Sequence, residues 1–393
     1  MAHISYLALL PLLIWLYLLC ARGGFWRVGT LLPPDGPVAP EAGAGLQVVA
    51  VVPARNEADV IGDAVTSLLR QRFAGQLHVI VVDDASTDGT GEIARQAGEA
   101  AGAGDRLTVI RGTGPLPGWS GKVCAMARGA EAAGALRPDF LLFTDADIHH
   151  EPRNLASLVA IAQTQQRDLT SYMVRLSAAS AAERWLIPAF VFFFFKLYPP
   201  AWIRRDGART AGAAGGCMLV RPQALARSGG LEVIRGEIID DCSLARSIKR
   251  SGGRLWLGLT RTARSLRPYG SAAEIGAMIS RTAFNQLRHS WLLLAGTLLG
   301  LVLTYLGPLL LLSGRPWPVL AGLAAWLLMT LAYLPMVRFY GLSLLWALSL
   351  PAAAAFYAGA TVHSAVQYAR GQGGRWKGRS QDVSPQKSVG GPP

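Results

Sequence analysis

The chain reads as a doubly wound α/β domain held between membrane helices. Three observations predict this fold class. Apolar runs of strand length alternate with helical patterns from Leu46 to Phe143. Polar clusters close those runs, on the side where open α/β sheets bind ligands. Long uncharged apolar stretches flank the whole.

Composition narrows the partners. Of 393 residues, 51% are apolar and the formal net charge is +13. The apolar excess lies in the first 20 residues and after Trp291, as expected of membrane segments around a polar domain. The basic residues are spread out except in "ARGQGGRWKGR" (Ala369–Arg379), and no nucleic-acid motif is present. A basic tail beside anionic headgroups is the simpler reading. The four cysteines, Cys20, Cys124, Cys217 and Cys242, lack zinc or disulfide spacing, which suits a reducing, cytosol-facing domain.

Each element has a local pattern behind it. "ISYLALLPLLIWLYLLC" (4–20) predicts an anchor within residues 1–22, and Arg22 and Arg27 place the adjoining domain in the cytoplasm. Residues 23–45 form a Pro/Gly/Ala linker, and 46–265 the α/β domain. "LQVVAVVPARNE" is a buried parallel strand, and "EADVIGDAVTSLLRQR" has helical spacing. "LHVIVVDDAS", "RLTVIRG" and "DFLLFTDAD" are further strands, with helices between them. "RWLIPAFVFFFFKLYPPAWIRR" (184–205) is broken by prolines and fits an interfacial helix or a greasy groove. Residues 266–290 form a membrane-proximal helix and 369–393 a basic tail whose end is disordered.

Within 291–368 there are three apolar stretches, Trp291–Leu312, Pro318–Val337 and Leu342–Val366, each long enough to span. With the N-terminal anchor they would put the basic tail outside the cell. Either one stretch is re-entrant or the positive-inside tendency fails, and Gly341–Pro351 is the weakest point.

The chemistry lies in the strand ends. Asp145 and Asp147 of "LLFTDADIHH" offer hard oxygen ligands for Mg²⁺ or Mn²⁺; a solvated turn is the rival reading. His149 and His150 are read as outside any metal's ligand set. Asp83 and Asp84 suit a ribose or base, or a helix cap. In "VVPARNE", Pro53 ends a strand and Asn56 or Glu57 opens a helix whose free N–H groups suit an anion. "GWSGKVCA" is not a P-loop, but Lys122 suits a phosphate. In "EIIDDCSLA", Asp240 and Asp241 suit a general base in an apolar setting, or capping. Gly215 and Gly216 let backbone approach an acceptor or sugar. Arg288 of "NQLRHSW" either reaches a diphosphate or snorkels at the interface.

"VVPARNE", "VDDASTDGT", "TDAD" and "DDCSLA", in that order, resemble the family 2 glycosyltransferases of the GT-A fold. "LIPAFVFFF", "AGAAGGCMLV", "IIDDCSLA", "LWLGLT" and "SLRPY" look like the hopene-associated subgroup of hopanoid pathways. The resemblance implies an inverting transfer to a lipid from a nucleotide sugar, with a UDP-sugar the first choice. It implies that Asp145 and Asp147 hold the metal, that Asp83 or Asp84 meets the nucleoside, and that Asp241 is the base. "QLRHSW" departs from the QxxRW spacing of processive members, which suits a single transfer. Related polyprenyl-phosphate, carotenoid or sphingolipid glycosyltransferases are alternatives, as is a non-catalytic scaffold. Charge-poor C-terminal helices argue against a transporter.

Overall fold

The computed structural model describes residues 7–33, 43–313 and 316–372, with the backbone of 375–376 and 379–380. Most of the linker (34–42) and the end of the tail (381–393) lie outside the described residues.

Eight strands form one mixed sheet: β1 (Gln47–Ala54), β2 (Gln76–Asp83), β3 (Leu107–Arg111), β4 (Phe140–Thr144), β5 (Ile148–His150), β6 (Leu169–Arg175), β7 (Cys217–Val220) and β8 (Leu255–Ser265). Their order is β3-β2-β1-β4-β7-β6-β8-β5. β1 is parallel to both β2 and β4, with Ala54 opposite Asp83 and Val51 opposite Phe143. Continuing that register puts Asp145 level with Pro53, so the polar strand ends meet at one edge. β7 turns antiparallel to β4 and carries the sheet toward β6 and β8.

Alternate residues of β1 face different layers, as strand geometry requires. Val48, Ala50 and Val52 pack in a core with α2 (Ile61–Leu69), α3 (Thr90–Ala100) and α5 (Asn154–Thr164). Val49 and Val51 pack against α4 (Gly121–Ala133). A Cβ on Gly129 of α4 would stand 2.3 Å from Val51 Cγ1, so only glycine permits this approach. That second core does not stop at the domain. It runs on through α6 (Ala181–Leu197) and α7 (Asp240–Arg250) into the apolar C-terminal helices.

α6 begins at a capping box, in which Ser180 Oγ accepts from Glu183 N and Glu183 Oε2 accepts from Ser180 N. Pro188 lies inside it. α8 (Ala272–Gln286) leads to α9 (Trp291–Leu301), whose helical run continues to Ser313; α10 (Pro316–Phe339) and α11 (Leu350–Ala369) come next. α1 (Leu10–Cys20) lies against this group, with Trp15 Nε1 donating to Thr304 O at 2.8 Å. Among the described residues, four helices are long and apolar enough to cross a membrane: Ala181–Ile203, Trp291–Ser313, Pro316–Phe339 and Leu344–Ala369.

Candidate functional site

A cavity of about 640 Å³ opens at the carboxyl edge of the sheet. Its walls include Pro53, Glu57, Lys122, Asp145, Asp147, Gly215, Gly216, Asp240 and Asp241. These residues are scattered along the chain, and the strand register assembles them.

Lys122 is the hub. It sits in the first turn of α4, behind Ser120, whose Oγ accepts from Val123 N. Its Nζ lies 2.8 Å from Asp145 Oδ1 and 3.2 Å from Asp240 Oδ2. Burial alone would lower its pKa, but Asp145, Asp240 and Asp241 together raise it above the ordinary lysine value. The ammonium therefore stays charged and ties the Asp145 side of the cavity to α7.

Asp147 accepts from Ser265 Oγ at 3.2 Å and lies 3.8 Å from Arg267 Nε. Burial, Asp145 and Glu57 push its carboxyl up to about 6, against the pull of Arg267 and Ser265. Negative charge here is undercompensated, which is a setting that fits a divalent cation. Among the described residues no cluster of three or more His, Cys, Asp or Glu forms a complete metal cage. A pair of carboxylates completed by donor phosphates is the arrangement Mg²⁺ commonly takes.

Asp241 opens α7 facing the glycine-rich stretch. Gly215 N donates to its Oδ2 at 2.8 Å and Cys242 N to its Oδ1 at 2.6 Å. A Cβ on Gly215 would stand 3.1 Å from Lys122 Nζ and 3.4 Å from Asp241 Oδ2, so a larger residue would press on both charges. Burial, then Asp240, raises Asp241 to about 6, while Lys122 and the two amides work the other way.

Other expected residues fall elsewhere. Asn56, Asp83, Asp84 and Arg288 are not in this cavity's wall. The expected free N–H groups at Asn56 and Glu57 are engaged: Asn56 N donates to Ser86 Oγ, Glu57 N to Thr90 Oγ1 and Ala58 N to Asp88 Oδ2. The helix starts later, at Ile61, because this loop is sewn to the one after β2. Asp83 Oδ1 accepts from Ser86 N, and Asp84 is fully buried with Arg128 Nη1 4.0 Å away. Arg288 is exposed, in a left-handed turn after α8. His150 is buried, and His149 lies 3.8 Å from Glu151.

The structure adds residues that sequence reasoning does not single out. Arg267 forms an ion pair with Glu57, and Arg281 and Tyr269 also line the cavity. Only "SLRPY" offers a local signal for Arg267. Away from the carboxylates the cavity becomes apolar, lined by Phe190, Phe193, Phe194, Met278, Ile279 and Tyr357. In the same wall Gln286 Nε2 donates to Tyr198 Oη at 2.7 Å.

Residues 49–229 match Glycosyl transferase family 2. A mannosyltransferase from Pyrobaculum calidifontis, solved with GDP-Man and Mn²⁺, has the same fold: 21% identity, TM-score 0.50, 90% of this chain and 98% of that one. Glucosyl-3-phosphoglycerate synthase from Mycobacterium tuberculosis, solved with Mn²⁺, uridine diphosphate and phosphoglyceric acid, matches at 20% identity, TM-score 0.41, over 65% and 83% of the two chains. An uncharacterized protein of Methanocaldococcus jannaschii is 31% identical over 113 residues, which is 29% of this chain and 40% of that relative.

Proposed function

We propose that the protein is an inverting glycosyltransferase that moves one sugar from a nucleotide-sugar donor to the hydroxyl of a lipid at the cytosolic membrane face. The observation that carries this is a single cavity with carboxylates and Lys122 at one end and an apolar, aromatic lining at the other. That apolar half suits the hydrocarbon of a lipid acceptor. The family match and the nucleotide sugar bound by the P. calidifontis enzyme support the donor class. A UDP-sugar is the first donor to try, and a hopanoid hydroxyl in a bacterial inner membrane the first acceptor.

Asp145 and Asp147 would hold Mg²⁺ or Mn²⁺, which when bound supplies charge neutralisation to the donor diphosphate. Lys122 reinforces this from the opposite wall. Pro53 and Glu57 belong to the donor side; Asn56, Asp83 and Asp84 lie outside the cavity wall, and of these the half-buried Asp83 would be the one to meet the nucleoside, since Asp84 is fully buried. Gly215 and Gly216 belong to the acceptor or diphosphate side, while Arg288 lies outside the cavity wall. Asp241 takes the proton of the acceptor hydroxyl as its oxygen attacks the anomeric carbon from the face opposite the diphosphate. The new C–O bond forms as the old one breaks, and the bonding pair leaves with the diphosphate oxygen. Asp240, paired with Lys122, sets the local field that keeps Asp241 basic.

A second reading is an anionic acceptor such as a polyprenyl phosphate, favoured by Arg281 in the cavity wall. The test is transfer by purified full-length protein with a panel of nucleotide sugars and a membrane lipid extract, with and without Mn²⁺. Mass spectrometry of lipids from a deletion strain identifies the missing glycolipid. Activity unchanged in both Asp147→Ala and Asp241→Asn would overturn the mechanism. Loss of transfer to phosphate acceptors alone in Arg281→Gln would favour the second reading.

A further inference from the structure

We infer that Leu344–Ala369 does not cross the bilayer, but lies at the level of the catalytic-side leaflet beside α8, so that the chain beyond Ala369 leaves on the catalytic-domain side. Length and hydropathy alone say otherwise. The segment has 26 residues, and α11 by itself is about 30 Å long at 1.5 Å per residue, enough for a span. Its neighbours decide the matter.

The chain enters this segment at the domain. α10 ends at Phe339, over which Arg261 of β8 stacks at 5.2 Å. Arg175 of β6 donates to Tyr340 O at 3.3 Å. Both arginines belong to the sheet, so the end of α10 is on the catalytic side.

The chain leaves it at the domain as well. Tyr368 stacks on His289 with ring centres 4.0 Å apart and planes at 9°, and packs on Phe284 at 5.4 Å. Phe284 in turn contacts Trp291, the first residue of α9. The last turn of α11 therefore stands where α9 begins, next to the end of α8.

Between these ends α11 keeps step with α8. Gly276 faces Phe356. Ser280 Oγ donates to Ala360 O at 3.0 Å, and Phe284 N donates to Ser364 Oγ at 3.0 Å. The offset is 80 residues each time, so the two helices run parallel and in register. α8 bears Glu274 and Arg281 and lines the catalytic cavity, which is no place for the middle of a bilayer. A helix bound to it along its length shares its depth. The leucines before α11, Leu344, Leu345 and Leu348, are exposed and supply the apolar surface a leaflet takes up.

The topology then closes. Trp291–Ser313 leaves the catalytic side and α10 returns to it. α1 ends beside Arg22, whose Nε donates to Lys196 O, while Pro11 packs near Gly307, far along the α9 run. Ala181–Ile203 does not cross, since Glu183 near its start accepts from Tyr269 N and Lys196 O near its end accepts from Arg22 Nε. With α1, the α9 run and α10 as the crossings, the chain at Arg370 is back on the side of Arg22 and Arg27, as the positive-inside tendency asks. The inference stands whether or not sugar transfer is the activity.

Cysteine accessibility in the full-length protein tests it. Cys20 is exposed and the other three cysteines are buried, so Cys20→Ser is the background. Single cysteines are placed at Gln372, at Glu92 on α3 and at Ser313. A membrane-impermeant maleimide is applied to intact cells and to inverted vesicles, with unchanged gel-filtration elution as the folding control. The expected result is that Gln372→Cys labels in the same preparation as Glu92→Cys and in the opposite one to Ser313→Cys. Labelling of Gln372→Cys together with Ser313→Cys, or equally from both sides, would overturn the inference. If Gln372→Cys labels in neither, a protease-cleavable tag after Pro393 decides by the same comparison: cleavage on the Glu92 side supports it and cleavage on the Ser313 side overturns it.

Discussion

Asp241 receives two backbone amides and still has its carboxyl raised to about 6, because burial and Asp240 outweigh the amides and Lys122. As the proposed general base, Asp241 would work only when unprotonated. Its protonated fraction rises as pH falls through about 6, so kcat is expected to be level above that pH and to fall about tenfold per unit below it. A pH profile of transfer at saturating donor checks this. Asp241→Asn keeps the shape and removes the base; transfer should fall by roughly 10²–10⁴-fold. Donor affinity, measured by calorimetry, should change little. Lys122→Met leaves Asp145 and Asp240 without their shared cation. It should weaken donor binding and cost on the order of 1–2 kcal/mol of stability, less than a fully buried pair, because Asp240 is buried but Lys122 and Asp145 are only partly so.

The strand ends are held by a polar lock beneath the carboxylates. Thr144 Oγ1 donates to Gly216 O at 2.8 Å, so it must accept from His150 Nε2 at 2.9 Å. His150 Nδ1 then accepts from Asn154 Nδ2 at 2.8 Å, and Asn154 Oδ1 accepts from Thr262 Oγ1 at 2.8 Å. The chain of bonds joins β4, β5, α5 and β8, and brackets Asp145 and Asp147 between two of its members. It needs a neutral imidazole, and burial, then His149, lowers His150 to about 3. The unfolded chain binds this proton at about 6.5 and the folded one only near 3. Stability is therefore full above about 6.5 and is lost as pH falls from there toward about 3, by on the order of a few kcal/mol. Thermal melts in detergent should show this slope, and His150→Gln should flatten it.

At the scale of the whole molecule, the core on the α4 side of the sheet and the apolar helices are one cluster. Val51 of the sheet belongs to the same packed set as Phe192, Met329 and Ala353. Removing Trp291 and everything after it should leave no stable soluble domain, since the underside of α6 and α8 would be stripped; gel filtration of the truncated chain reads this out. The cavity spans that junction. Ile279→Trp overfills its apolar part without touching the carboxylates. It should cut transfer to lipid at least tenfold while donor affinity persists.

Much of this is legible in the chain because it depends on local spacing. Apolar runs of strand length predict the strands, Gly and Pro mark their ends, and acids at those ends mark the binding edge. The helix start expected at Asn56 fails because its N–H and that of Glu57 find Ser86 and Thr90, about thirty residues on. Arg267 stays hidden for the same reason: its partners Glu57 and Asp147 are distant in sequence. What the sequence by itself determined is the alternation of elements and the order of the carboxylates. What only the tertiary structure decided is which charges meet, and that the last apolar helix packs in register along α8. Periodicity is a property of neighbours in the chain, whereas ion pairs and helix packing are set by neighbours in space.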